Sequence, residues 1–470
     1  MRKRGQRSHA RLNTITGRLL VLLVILAAIP VASNRPAWWL VWTLLLGVGA
    51  IAYLARAQTG RALKISQFRL FFGLALLVPL YAVVQSLPVA GALPLALQAL
   101  PAALPEALWP ATLSVMPDAS RLGAIRAIGF LVFLMLVIEV GTWPLRTHAL
   151  GLALMIVILL HALFGLIALR LWDDYALWGD KAAYRGMLTG TFVNRNSMAT
   201  FLGFGLILAV AFAMVRGHLA RIAAPHQVHT AILIPQWLEI IGLWLCAGLL
   251  ALSLLLTQSR MGSVATAIGA FVTFIALRVV FRVRLRRFVV ESVAGLVLVL
   301  AFLIPLSGAG VIERALFTRL DSADRISIYI QTWGMILNRP LTGYGHDAFA
   351  PAFELYRADP LVQPNYADLA HNTYLALWAE QGLIIGSIPV LLTAWAAVMI
   401  VQRLRRGKGD VAMNAAALGV IALAAVHSLV DFSLEIPANV YAFLLITGLA
   451  MSGPRERLAT GVAPHGRSIG

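Results

Sequence analysis

Apolar runs parted by short polar clusters recur along almost the whole of this chain. A transmembrane α-helix needs about 20 apolar residues to cross roughly 30 Å of hydrocarbon. On that measure the runs predict twelve spans, at 19–33, 37–55, 69–89, 122–140, 148–169, 196–215, 237–257, 261–281, 288–306, 373–401, 412–430 and 438–452. The expected class is an all-α polytopic membrane protein with one large loop, 307–372, between spans nine and ten. No internal repeat is evident. The Pro/Ala/Leu-rich stretch 90–120 and the short last run leave the span count open by one or two.

The polar clusters alternate in character. Arg56, Arg61 and Lys64, then Arg216 and Arg221, then Arg282, Arg284, Arg286 and Arg287, then Arg403, Arg405, Arg406 and Lys408 fall on one side of a twelve-span topology. Asp173, Asp174, Asp180, Asp321, Asp324, Asp347, Glu354, Asp359 and Asp368 fall on the other. Basic loops mark the cytoplasmic side. Residues 1–18 are therefore expected as a basic cytoplasmic N-terminus, 19–306 as spans one to nine, 307–372 as a periplasmic helical loop, 373–452 as spans ten to twelve, and 453–470 as a cytoplasmic tail. The basic start (Arg2, Lys3, Arg4, Arg7, Arg11, Arg18) before Leu19 also resembles a signal peptide. No small-x-small cleavage site leads into a soluble domain, and a second span follows at once, so it is read as an uncleaved helix.

Composition agrees. Of 470 residues, 60% are hydrophobic and 12% charged, against roughly half and a quarter in soluble domains. The net charge of +18 comes from arginines clustered between apolar runs. That is a bilayer pattern rather than a nucleic-acid surface, so no nucleic acid is expected as a partner. A lone cysteine, Cys246, excludes an intrachain disulfide or a cysteine metal site.

Within the loop, residues 322–338 place Ile326, Tyr329, Trp333 and Ile336 at helical spacing. Asp321 or Ser322 is the expected cap and Asn338-Arg339-Pro340 the stop. The aromatic face suits a helix at the membrane interface or packed over the bundle. Gly343-Tyr344-Gly345 then turns the chain, and Phe349, Phe353, Leu355 and Tyr356 add a second apolar patch. Together these predict a lid over a site on the outer surface.

Four residues on that side carry candidate chemistry. Arg195 precedes the sixth span, where Asn194 or Asn196 can cap the helix. A cation at a helix N-terminus is unfavourable unless an anion accompanies it; the ordinary alternative is an arginine reaching to lipid headgroups. Arg260 opens the eighth span after a short turn, against both the positive-inside bias and the helix dipole. Arg325 falls in the first turn of the predicted lid helix, where a guanidinium and free N–H groups make an anion site, or where an ion pair with Asp321 or Asp324 forms instead. His371 opens the tenth span, as a polar cap or as a general base whose neutral form the nearby arginines and helix N-terminus favour. Three cations and a histidine on one side suit a membrane-bound anion such as a lipid diphosphate.

The segments Gly190–Ala199 (GTFVNRNSMA), Thr257–Gly262 (TQSRMG), Arg325–Gly345, His371–Gly382 (HNTYLALWAEQG) and His427–Asn439 (HSLVDFSLEIPAN) follow one another in the order found in a known family. Over residues 190–440 the chain resembles the O-antigen ligase and polymerase superfamily of bacterial envelope glycosyltransferases. The resemblance implies a GT-C-like membrane fold in the bacterial inner membrane. It implies an inverting transfer from an undecaprenyl-diphosphate-linked saccharide on the periplasmic face, with no metal or other cofactor. It maps the family's essential arginines onto Arg260 and Arg325 and its histidine onto His371. Arg195 fits a further basic position and Asp431 a late acidic one. The acceptor would be a lipid A core in a ligase, or another lipid-linked glycan in a polymerase. A small-anion transporter remains the alternative of another class. Transporters place charges near the midplane, and here only Glu139 and Glu380 come near it.

Overall fold

The computed structural model describes residues 2–57, 63–94, 97, 100, 110–181, 183–223, 236–284, 286, 289–291, 293, 311–358, 361 and 369–453. Among these residues the fold is helical, with no strand beyond an isolated bridge between Ala176 and Gly179. The helices are α1 (Arg2–Ala28), α2 (Pro36–Arg56), α3 (Arg69–Gln85), α4 (Pro117–Val140), α5 (Pro144–Leu171), α6 (Arg195–Ala223), α7 (Gln236–Leu256), α8 (Arg260–Val280), α9 (Val311–Asn338), α10 (Phe349–Glu354), α11 (Thr373–Arg405), α12 (Val411–His427) and α13 (Pro437–Ser452). Nine described helices are long and apolar enough to cross a bilayer, and α12 and α13 are shorter apolar helices. The expected span 288–306 lies almost wholly outside the described residues. The first helix begins well before the expected residue 19, with its apolar stretch at Ala10–Ala28.

Side-chain links show which helix ends lie together. At one end Arg146, in the first turn of α5, donates to the Ala10 carbonyl of α1. His148 of α5 meets Asp410, the cap of α12, and Arg403 of α11 donates to Met451 at the end of α13. At the other end Gln85 of α3 holds the 342–346 segment, Ser120 of α4 donates to His346, and Asn196 of α6 meets Asp431 after α12. The first end gathers Arg56, Arg146, Arg216, Arg221, Arg278 and Arg403–Lys408 and is called the basic end. The second carries the candidate residues and is called the site end.

Small residues let the central helices approach, as is usual where lipid supplies no hydrophobic drive between helices. At Gly419 on α12 an added Cβ would press on the Gly269 carbonyl oxygen and the Thr273 hydroxyl of α8. Thr273 in turn donates to Gly269 O and to Ala415 O across the same crossing.

The loop helix differs from expectation. α9 already runs from Val311, so Asp321 and Ser322 lie inside the helix rather than at its start. It stops at Asn338, as the following Arg339-Pro340 requires. Its apolar residues divide between two faces. Ile328, Thr332, Met335 and Ile336 are buried, whereas Ile326, Ile330, Trp333 and Leu337 are exposed. The buried face joins Tyr344, Phe349, Phe353, Ala376 and Ala379 in a small separate core. The helix thus packs on the bundle and also presents an apolar stripe outward.

After α9 the chain docks on a break in α11. Gly382 stands there at φ 71°, ψ 167°, interrupting the helix and freeing carbonyls near it. Tyr344 N–H donates to Ala379 O and Gly345 N–H to Glu380 O, each at 2.9 Å, and Leu383 N–H donates to Pro340 O at 2.7 Å. Arg339, 1% exposed, donates to Leu113 O at 2.9 Å and stacks 4.8 Å from the Tyr344 ring centroid.

Candidate functional site

The site end is organised around the turn after α12. Asn194 Oδ1 accepts from the N–H groups of Asn196 (2.7 Å) and Ser197 (3.4 Å), so Asn194 is the residue that caps α6. Asn196 has another task. Its Nδ2 donates to Asp431 Oδ1 at 3.0 Å, and its Oδ1 accepts from Ser259 Oγ at 2.8 Å. Ser259 is the N-cap of α8 and accepts from Gly262 N–H. Asp431, 1% exposed, also accepts from Ser433 Oγ. One polar chain therefore ties the starts of α6 and α8 to the segment between α12 and α13. A buried carboxylate is tolerated because both oxygens are hydrogen-bonded.

His371 is tied to the same turn from the other side. It precedes Asn372, the N-cap of α11, whose Oδ1 accepts from the N–H groups of Tyr374 and Leu375. Asn372 Nδ2 donates to Leu429 O at 3.0 Å, Thr373 N–H to Ser428 O at 2.9 Å, and Thr373 Oγ1 to Asp431 O at 3.1 Å. The imidazole lies edge-on to Phe432 with centroids 5.2 Å apart. His371 holds φ at 50° and Gln258, just before the α8 cap, holds 55°. Left-handed backbone at non-glycine residues is uncommon and gathers at functional sites.

From above, α9 closes on this turn. Tyr329 Oη donates to His371 O at 2.9 Å, and Arg325 Nη1, one turn earlier, donates to Val430 O at 3.4 Å. Burial raises the Tyr329 phenol's pKa against the lowering effect of Arg325, so it stays a hydrogen-bond donor. Arg325, His371 and Asp431 are thus brought directly around residues 428–432. Arg325 lies mid-helix rather than in a first turn, so its neighbouring N–H groups are engaged in α9 and any anion it meets is met by the guanidinium. Arg195 and Arg260 join through their neighbours Asn196 and Ser259. Arg195 is half-buried, 5.6 Å from the Tyr184 ring centroid and 3.1 Å from Met187 Sδ. Arg260 is exposed at the first position of α8.

A second cluster, absent from the sequence reading, lies under the docked segment. Arg126 of α4 is ion-paired with Asp347. His346 Nδ1 is 3.5 Å from Glu380 Oε2 of α11, and Glu380 Oε1 accepts from Phe349 N–H. Burial works to lower the His346 pKa, but the Asp347 and Glu380 carboxylates outweigh it and the net shift is upward. Burial, then Glu380, push the Glu435 carboxyl well above its ordinary range. His346, Asp347 and Glu380 offer ligand atoms all within 4.8 Å of one another, the arrangement among the described residues that could hold a metal ion. The sequence separation of Arg126 from Asp347 left no local signal; only Glu380, a charge inside an apolar run, stood out.

This cluster heads a chamber of about 490 Å³. Five helices close around it, with α3 on α4, α4 on α13, α13 on α12, α12 on α11 and α11 back on α3. Its wall is apolar below the cluster, with Val78, Leu131, Leu392, Ile421 and Phe443 facing in.

No curated protein matches the chain. Residues 245–390, from α7 through the first half of α11, match the family model described as O-antigen ligase, a stretch that contains Arg260, Arg325 and His371. Over that stretch the chain is similar to the O-antigen ligase family.

Proposed function

We propose that the protein transfers a saccharide from undecaprenyl diphosphate to an acceptor hydroxyl at the periplasmic face of the bacterial inner membrane. The observation that carries this is the convergence of Arg325, His371 and Asp431 on one turn, with Arg195 and Arg260 tied to it through Asn196 and Ser259. The basic end is then cytoplasmic, as arginine-rich loops require. The acceptor oxygen attacks the anomeric carbon as the bond to the diphosphate breaks, inverting the configuration. The electron pair leaves with the diphosphate, whose charge Arg260 and Arg325, helped by Arg195, neutralise in place of a divalent metal. His371 takes the acceptor proton, help that is typically worth about 10²–10⁴-fold. Asp431 acts on the reaction by holding α6, α8 and α11 in register.

The reading is that of a ligase with a lipid A core acceptor. A polymerase would use the same residues toward another lipid-linked glycan. Purified protein in nanodiscs, given a labelled undecaprenyl-diphosphate saccharide and each acceptor in turn, distinguishes the two. Arg260→Ala and Arg325→Ala are expected to abolish transfer, with lysine a poor substitute for the guanidinium fork. His371→Ala should lose transfer while still binding the donor. Full activity of Arg260→Ala overturns the diphosphate site, and a wild type silenced by EDTA and restored by magnesium overturns the metal-free mechanism.

A further inference from the structure

Successive backbone carbonyls of residues 428–431 are all taken by the segments that carry the candidate residues. Ser428 O accepts from Thr373 N–H at 2.9 Å, Leu429 O from Asn372 Nδ2 at 3.0 Å, Val430 O from Arg325 Nη1 at 3.4 Å and Asp431 O from Thr373 Oγ1 at 3.1 Å. The donors are Arg325 and the two residues that follow His371. Tyr329, one turn after Arg325, adds its bond to the His371 carbonyl. The turn is therefore a template. Where it stands decides how the imidazole and the guanidinium face each other.

A site held this way is only as exact as the support behind it. The N–H groups of the turn run back into α12, Ser428 to Ala424 O, Leu429 to Val426 O and Val430 to His427 O. Those bonds let the turn tilt with the end of its helix. Two side-chain bonds to α6 oppose the tilt. Asp431 meets Asn196, and His427 Nδ1 shares a hydrogen bond of 2.7 Å with Thr200 Oγ1. Asn196 and Thr200 stand one helical turn apart on one face of α6, and His427 and Asp431 have the same spacing, so the bonds are parallel rungs.

The deeper rung is unusual for its place. His427 is 2% exposed and Thr200 1%. Burying a polar pair in an apolar bundle is costly unless its groups are hydrogen-bonded. Here one imidazole nitrogen is bonded, and the other, Nε2, has no hydrogen-bond partner among the described residues. Thr266, Thr273 and Thr447, also buried inside helices, each donate to the carbonyl four residues before. Thr200 Oγ1 instead meets His427 on another helix. Packing alone would be served by an apolar side chain that leaves no nitrogen unpaired.

We propose that His427, through Thr200, is a positioning residue of the transfer site, pinning the end of α12 to α6 and so fixing the carbonyls that aim Arg325 and His371. The proposal rests on the transferase reading and adds two residues to it that touch neither substrate.

The test uses the full-length protein in nanodiscs with a labelled undecaprenyl-diphosphate saccharide and each acceptor. Thr200→Val removes the hydroxyl at nearly constant volume, and Thr200→Ser keeps it. His427→Leu removes the ring nitrogens, and His427→Asn keeps a polar atom near Nδ1. Thr200→Val and His427→Leu should lower kcat about tenfold or more, as misplacement of a catalytic group does, with donor and acceptor KM unchanged. The serine and asparagine variants should recover most of the loss. The double variant T200V/H427L should be no slower than the slower single, because both break one bond. Hydrogen exchange should quicken at Thr373 and Val430 in Thr200→Val, a readout that needs no transfer. Wild-type kcat in Thr200→Val overturns the proposal, as does Thr200→Ser as slow as Thr200→Val, a loss confined to KM, or losses that multiply in the double variant. If His427→Leu yields no folded protein, the Thr200 pair decides alone. A wild type that transfers to no acceptor defeats the transferase reading. The support is then judged by exchange, and equal rates at Thr373 and Val430 in Thr200→Val and wild type overturn it.

Discussion

Replacing Gly382 with alanine should unseat the segment that carries His346 and Asp347. Gly382 sits at φ 71°, ψ 167°, a region essentially reserved for glycine, where another residue costs about 1–3 kcal/mol. An added Cβ would also lie 2.5 Å from the Leu341 carbonyl carbon and 3.1 Å from Pro340 O. These are backbone atoms, so relief requires moving the docked segment rather than rotating a side chain. Movement breaks the Leu383 N–H to Pro340 O bond of 2.7 Å, a loss of about 0.5–1.5 kcal/mol. The sum, about 1.5–4.5 kcal/mol, shifts the balance between seated and displaced segment by roughly ten- to a thousand-fold. Hydrogen exchange read by mass spectrometry should show it at Tyr344 and Gly345, whose N–H groups bond to α11. Gly334→Ala is the control, because a Cβ there meets nothing within 4 Å. Protection at Tyr344 and Gly345 equal to wild type in Gly382→Ala would refute the argument that glycine is required for docking.

Three further outcomes follow from the same geometry. His346 has a raised folded pKa, so its contribution to seating is full below the ordinary histidine value and fades as pH rises through the raised one. The Glu435 carboxyl, also raised, acts in the same direction. The melting midpoint should therefore fall from pH 6 toward pH 9, and less so in His346→Gln. A midpoint that rises over that interval contradicts the assignment. Asn196→Ala removes one bond to a buried carboxylate and one to Ser259, about 2–4.5 kcal/mol together. Transfer should drop with donor and acceptor sites otherwise intact, and wild-type turnover would show that the polar chain does not position the site. Gly419→Leu has no room against Gly269 and Thr273 and should prevent recovery of folded protein by size-exclusion chromatography, where Gly242→Leu, with open space around it, should not.

The membrane helices were legible because each is a long apolar run bounded by polar residues, and the bounds of α2, α7, α8 and α13 fall within a residue or so of the runs that predicted them. The caps of α8 and α11 were not named in the sequence reading: Ser259 went unremarked, and His371 was offered as a cap where its neighbour Asn372 does the capping. The start of α9 was missed too. Asp321 and Ser322 look like a cap locally, yet the helix continues through them, because propensity yields to what the chain packs against. Its face was misassigned as well. Ile326 and Trp333 share a spacing with Ile336, but only Ile336 turns inward, a distinction periodicity cannot make when both sides of a helix are apolar. The cluster of Arg126, His346, Asp347 and Glu380 was illegible for a different reason. Its members come from three segments that meet only because Gly382 opens α11 and Gly343, at φ 62°, lets the returning chain lie against the Glu380 carbonyl.

The connection between α12 and α13 explains why two polar clusters coexist so close together in an apolar bundle. Asp431 faces the arginine side and is fully engaged, with Asn196 on one oxygen and Ser433 on the other. Glu435, four residues on, lines the chamber with one oxygen unengaged. A 3₁₀ turn over Ser433–Glu435 sets the two carboxyls apart, and Pro437 then starts α13 at once. Asn439, buried in the first turn of α13, locks the connection by donating to Ser197 O and Ser433 O at 3.0 Å each. The carboxyl that is satisfied holds the connection in place, and the other keeps one oxygen that no described residue engages.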